Sequence, residues 1–180
     1  MSTLTVDTSN LHKLGPARRV LFKVLNWVRE EYRLTYYTRI RWKAENGDAR
    51  AQYALASMCE GGTGVFQTTT EAAKWYQKAA FQGIAEAQLA LGLKFLHGEG
   101  ITKSDSEALL WLRKAAEQGQ AEAQFHLGNL YRDGRGTTRD LLQASKWYRK
   151  AADANHSGAK KALQELNSSN PSPVEPKLAA

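Results

Sequence analysis

The sequence predicts an all-α fold, a solenoid of about three 36-residue helix-turn-helix repeats held between an N-terminal and a C-terminal cap helix. Three observations carry this expectation. A shift of 36 residues lines the chain up on itself without a gap, so that Gly47, Gly83 and Gly119, Ala51, Ala87 and Ala123, Leu55, Leu91 and Leu127, and Trp75, Trp111 and Trp147 coincide. Within each unit the apolar residues recur at helical spacing, as in Ala87, Leu91 and Phe95 or Ala108, Trp111, Leu112 and Ala115. Each unit is also cut in two by a glycine pair, Gly62-x-Gly64, Gly98-x-Gly100 or Gly134-x-Gly136, which can stop a helix with a left-handed residue and reverse the chain tightly.

The elements follow in order. Residues 1–15 are expected to be flexible, and residues 16–46 to form a basic amphipathic helical segment that caps the first unit. Pro16 suits a helix start, Leu21, Val24, Leu25, Val28 and Tyr32 make one apolar stripe, and Arg18, Arg19, Lys23, Arg29 and Arg33 lie beside it. Laid 36 residues ahead, Ala44 falls on Ala80 and Gly47 on Gly83, yet Arg39 stands where the tryptophan belongs. That reads as a modified second helix, the atypical end unit a solenoid needs.

The repeats occupy 47–82, 83–118 and 119–154. In each, Thr68, Ser104 or Asp140 is followed three residues later by Glu71, Glu107 or Gln143, a capping box that starts the second helix. That helix stops at Gly83, Gly119 or Asn155, residues that tolerate a left-handed cap. Small residues at fixed places let helices approach closely: Ala51 with Ala80 and their counterparts, and Gly92 and Gly128, with Ala56 in the first unit. The tryptophans fill the gaps between neighbouring helices. A fourth unit begins at Asn155, with Ala159 in the place of Ala123, and fades near Leu166. Residues 155–166 are therefore a C-terminal cap helix, and 167–180, with Pro and Ser clustered, a disordered tail.

Taken together, Ala-x-Ala-x-x-x-Leu-Gly, Gly-x-Gly and Ala-x-x-Trp-x-x-Lys-Ala-Ala-x-x-Gly, followed most fully over Glu86 to Gly119, resemble the Sel-one-like repeat, a relative of the tetratricopeptide repeat. The resemblance covers about 44–166. It implies a right-handed superhelix whose concave side receives a partner protein, hence a scaffold or adaptor rather than an enzyme. The chain departs from the pattern at Cys59, where Phe95 and Tyr131 are aromatic, at Thr137 and at Asn155. Cysteine-rich members of the family, linked to penicillin binding, pair two cysteines per repeat; with Cys59 alone, this chain does not resemble that branch.

Composition bounds the function. The 180 residues are 42% hydrophobic and 24% charged, which fits a globular protein. No stretch approaches the ~18 uninterrupted apolar residues of a spanning helix, and no export signal is recognisable. A lone cysteine cannot form an internal disulfide, so a reducing compartment, the cytoplasm, is expected. The net charge of +7 sits mainly in residues 1–43, with nine Lys+Arg against three Asp+Glu, while 44–166 hold fifteen and fourteen. With no nucleic-acid reading motif beside it, this basic segment reads first as a cap helix with a solvated basic face and second as a docking helix for a partner groove or an anionic membrane surface, ahead of nucleic acid.

No chemistry is apparent. His12, His97, His126 and His156 are scattered with no second histidine or cysteine at metal-ligand spacing, and Gly-x-Gly lacks the strand and lysine of a phosphate loop. No cofactor, metal or small-molecule substrate is expected. Partner-binding candidates are the variable positions of each first helix that share a side: Ala54, Ser57 and Gly61; Ala90, Leu93 and His97; His126, Asn129 and Asp133. The expected function is binding of another protein in the groove. Two alternatives stand beside it, a peripheral membrane scaffold using the basic helix and an inhibitor that neutralises one toxin.

Overall fold

The computed structural model describes residues 16–62 and 68–169, and among them it contains helices alone. Their order is α1 (Pro16–Glu45), α2 (Ala49–Gly61), α3 (Thr69–Phe81), α4 (Ala85–His97), α5 (Asp105–Glu117), α6 (Ala121–Asp133), α7 (Leu141–Asp153) and α8 (Ser157–Ser169). Each helix packs on its neighbours in sequence, so the repeats α2–α3, α4–α5 and α6–α7 stack in line between α1 and α8. The expected flexible N-terminus, Gly64 and the expected tail beyond 169 lie outside the described residues. The last helix runs three residues past the expected end at 166. The first breaker downstream is Pro171, which disfavours helical backbone at the residue before it.

The turns between repeats are alike because their backbone hydrogen bonds are alike. At the end of α3, Gly83 N–H donates to Ala80 O at 3.0 Å and Ile84 N–H to Ala79 O at 3.2 Å, the paired bonds of a Schellman cap. The same pair closes α1 at Gly47, α5 at Gly119 and α7 at Asn155, each with positive φ. Asn155 reaches φ 64° and takes the glycine's place.

The capping boxes form only in part. Ser104 Oγ accepts from Glu107 N–H at 3.3 Å and Asp140 Oδ1 from Gln143 N–H at 2.9 Å, but Thr68 instead donates its hydroxyl to Glu71 Oε2 at 3.4 Å. No acid reaches back to the cap amide. The amides of Thr68, Ser104 and Asp140 already donate to the carbonyls of Cys59, Phe95 and Tyr131, at 3.2, 2.9 and 2.9 Å. The turn within the repeat thus uses the donor that an isolated helix would leave orphaned.

Close packing follows the small residues. A methyl on Gly92 would lie 2.7 Å from Leu112 Cγ, and one on Gly128 2.6 Å from the Tyr148 ring, so glycine lets the second helix seat its large side chain against the first. Trp75 and Trp111 are buried at 9% and 4% exposure, and Phe81 meets Trp111 edge-on at 5.0 Å. Trp147 is only half-buried, because the stack ends one helix later.

A glutamine ladder ties the repeats together. Gln52, Gln88 and Gln124, all buried, donate from Nε2 to the carbonyls of Ala44, Ala80 and Ala116 at 3.1, 3.2 and 3.1 Å. Gln82 and Gln118 in turn donate to Gln52 and Gln88 Oε1, each at 2.8 Å. The Ala44 carbonyl is thus used as those of Ala80 and Ala116 are.

Candidate partner-binding face

Each first helix buries one side and leaves another partly open, edged by its own second helix, as where Tyr148 of α7 donates to Asn129 Oδ1 at 2.6 Å and Tyr53 meets Tyr76 of α3 at 5.8 Å. The open side carries positions at i, i+3, i+7 and i+11, which fall on one line of a helix. In α2 these are Arg50, Tyr53, Ser57 and Gly61; in α4, Glu86, Leu89, Leu93 and His97; in α6, Glu122, Phe125, Asn129 and Asp133. The middle two are half-buried in α4 and α6, as is Tyr53 in α2; the others are exposed. Tyr53, Leu89 and Phe125 make a row of apolar side chains, one per repeat, each partly packed on the core.

Of the residues expected on this face, Ser57, Gly61, Leu93, His97, Asn129 and Asp133 lie on the open line. Ala54, Ala90 and His126 sit one step round the helix, half-buried, with Ala90 packed on the core. Sequence reading passed over Arg50, Tyr53, Glu86, Leu89, Glu122 and Phe125, although these positions also vary among the copies. Arg50, Tyr53, Ile84, Glu86, Gln118 and Gln120 surround a hollow of about 580 Å³ where consecutive turns meet.

The third repeat brings two histidines together. Glu122 receives His156 Nε2 at 2.9 Å on one oxygen and His126 Nε2 at 3.2 Å on the other. His156 Nδ1 accepts from Ala159 N–H at 3.1 Å, capping α8, so the ring proton is on Nε2 and donates to Glu122. Phe125 stacks on the same ring at 4.6 Å. Burial pushes the His126 pKa below its ordinary value, against the opposing pull of Glu122. Among the described residues no group of three or more His, Cys, Asp or Glu is placed to hold a metal ion.

Another group went unread in the sequence. Lys94, 2% exposed, extends Nζ to Glu60 Oε1 at 2.5 Å, and Tyr76 donates its hydroxyl to Glu60 Oε2 at 2.8 Å. One repeat along, the same register holds Leu96, Leu112 and Leu130, all buried. The first junction is therefore pinned by polar groups where the second is apolar. Burial alone would raise the Glu60 pKa, but the bonds from Lys94 and Tyr76 outweigh it and hold the carboxyl below its usual range. Cys59 is buried, and that burial pushes its thiol pKa up, away from a reactive thiolate. Of the basic residues expected to dock α1, Lys23 is exposed; the side chains of Arg18, Arg19, Arg29 and Arg33 lie outside the described residues.

A stack of helix pairs with a partly open side on its first helices defines a helical-repeat fold. The chain belongs to the Sel1 repeat family, whose profile matches residues 49–83, 85–120 and 121–156, and whose members are generally protein–protein interaction scaffolds. No curated protein matches it. Among solved structures it is similar to c5321, a protective antigen of uropathogenic Escherichia coli with this repeat fold, at 37% identity and TM-score 0.70, covering 72% of this chain and 28% of that one. It is also similar to a Sel1 repeat protein from Oxalobacter formigenes, at 35% identity and TM-score 0.66, covering 71% of this chain and 96% of that one. Cysteine-rich protein B of Helicobacter pylori, 20% identical with TM-score 0.56 over 75% of this chain and 95% of that one, shares the fold alone. The chain thus spans little more than a quarter of the E. coli antigen.

Proposed function

We propose that the open side of the first helices receives a segment of one partner protein, and that the chain acts as a non-enzymatic adaptor in the cytoplasm. The observation that carries this reading is the row Tyr53, Leu89 and Phe125, with Leu93 beside it, half-exposed at one register in all three repeats. An apolar row lined by charges is what a partner's side chains need, the apolar part for affinity and the charged part for orientation. Arg50 stands at the first repeat, and Glu86 and Glu122 at the same register of the later two. The fitting segment is apolar, with basic residues directed towards the third repeat.

Photo-crosslinking side chains at Ser57 and His97, with one at Lys146 on α7 as the control, test the assignment. One dominant adduct from the first two and none from the third is expected. With the crosslinker at Ser57, Leu93→Asp together with His97→Asp should abolish the adduct while the helical circular dichroism of the folded chain is retained. Equal crosslinking from Lys146, or unchanged capture by the double variant, overturns the assignment.

A further inference from the structure

The two ends of the stack are finished differently. The C-terminal helix α8 turns Lys160, Lys161, Gln164 and Glu165 to solvent, the polar outer face expected of a solenoid cap. The N-terminal helix does the opposite. Val20, Trp27, Tyr32, Leu34 and Trp42 are 61%, 67%, 73%, 55% and 64% exposed, with Val24, Leu25 and Tyr36 about half exposed.

The length of α1 accounts for part of this. It has 30 residues where every other helix has 13, so it is longer than they are by about 26 Å. Among the described residues, its last turns dock, through Tyr37, Ile40 and Ala44. At 100° per residue that docked side faces away from Val20, Val24, Trp27 and Trp42. Between Val20 and Tyr36 the exposed apolar side chains spread over about 200° of arc, interrupted by Glu31 and Thr35. A helix packing on one neighbour uses about half that width. Lys23, exposed, lies on the remaining arc.

We infer that α1 lies in the plane of an anionic lipid surface, with Val20, Val24, Trp27 and Tyr32 at the boundary of headgroups and acyl chains and the repeats held on the far side. Three features favour this occupant. The apolar arc is broad and rich in Trp and Tyr, the residues that settle at membrane interfaces. The charge is complementary, with nine Lys+Arg against three Asp+Glu in residues 1–43. A second copy would bring two such segments together against their own repulsion. No helix among the described residues is long and apolar enough to cross a membrane, which leaves the in-plane arrangement.

The test is flotation of the full chain with vesicles of phosphatidylcholine alone or with a quarter phosphatidylglycerol. At least about tenfold more protein is expected to float with the anionic vesicles, falling as salt screens the headgroups. Val24→Glu with Trp27→Glu, both at exposed positions, should abolish flotation while leaving the melting temperature and the Ser57 crosslink intact, which separates this inference from the groove assignment. Equal flotation on neutral vesicles, or retention by the double variant, overturns it. So does a chain that ignores vesicles but sediments as a dimer until those two residues are changed, since the occupant is then a second copy.

Discussion

Gln124 Oε1 is buried without a hydrogen-bond partner, and the reason is one residue 30 positions away. In the two earlier repeats the same oxygen accepts from Gln82 or Gln118; at the corresponding place stands Ala154, with φ −82° and ψ 17°, close to the backbone of those glutamines. Ala154→Gln should therefore complete the ladder and stabilise the chain by about 1 kcal/mol, read as a rise in the urea midpoint. An unchanged midpoint would mean that the oxygen is satisfied in another way. The Glu60 group gives a second prediction. Glu60→Leu leaves the Lys94 ammonium buried without its main partner and should cost about 3 kcal/mol. Adding Tyr76→Leu and Lys94→Leu reproduces the leucines of the second junction and should recover most of that loss. Because the folded-state pKa of Glu60 is depressed, its contribution is present above about pH 4.3 and fades as pH falls through the lower folded value. The triple variant should lose that part of the acid sensitivity in pH-dependent denaturation.

At the scale of the element, the two glycines of each inner turn do different work. Gly98 has φ 77°, and a methyl there would press on Lys103 Cβ at 3.3 Å, whereas a methyl on Gly100 would run into the backbone of Thr69 at the start of α3. Gly136 stands the same way against Asp105, and Arg135 beside it grips that carboxylate with two bonds of 3.1 and 2.7 Å. The second glycine is thus where one repeat touches the next. Gly83 has a similarly positive φ, with open space around it. Gly83→Ala should cost about 1 kcal/mol, from backbone conformation alone. Gly100→Ala should cost at least twice as much, and comparison of their thermal melts checks the order. The helix pairs of the repeats and their glycine stops were legible, since the 36-residue register repeats each signal three times. The missing half of the capping box was not. Its donor goes to a carbonyl nine residues back, and that pairing exists only once the turn has closed.

For the whole molecule, stability is expected to travel along the stack as a sum of units and their junctions. Trp111, buried in the middle, should cost about 3–5 kcal/mol on replacement by Ala, while Trp147, half-buried near the end, should cost clearly less. Hydrogen exchange should show protection lost on both sides of position 111 but only towards the C-terminus for position 147. The sequence by itself determined the repeat unit, its helices and turns, the core alanines and tryptophans, and the concentration of charge at the N-terminus. Each of these depends on spacing along the chain, and spacing is what a repeat displays. Only the tertiary structure decided which side of the first helices stays open, that Arg50, Tyr53 and Phe125 belong to it, that Lys94 finds Glu60, and that α1 turns its apolar side away from the repeats. Those facts depend on which helix lies against which, and residues more than 30 positions apart meet only after the stack has formed.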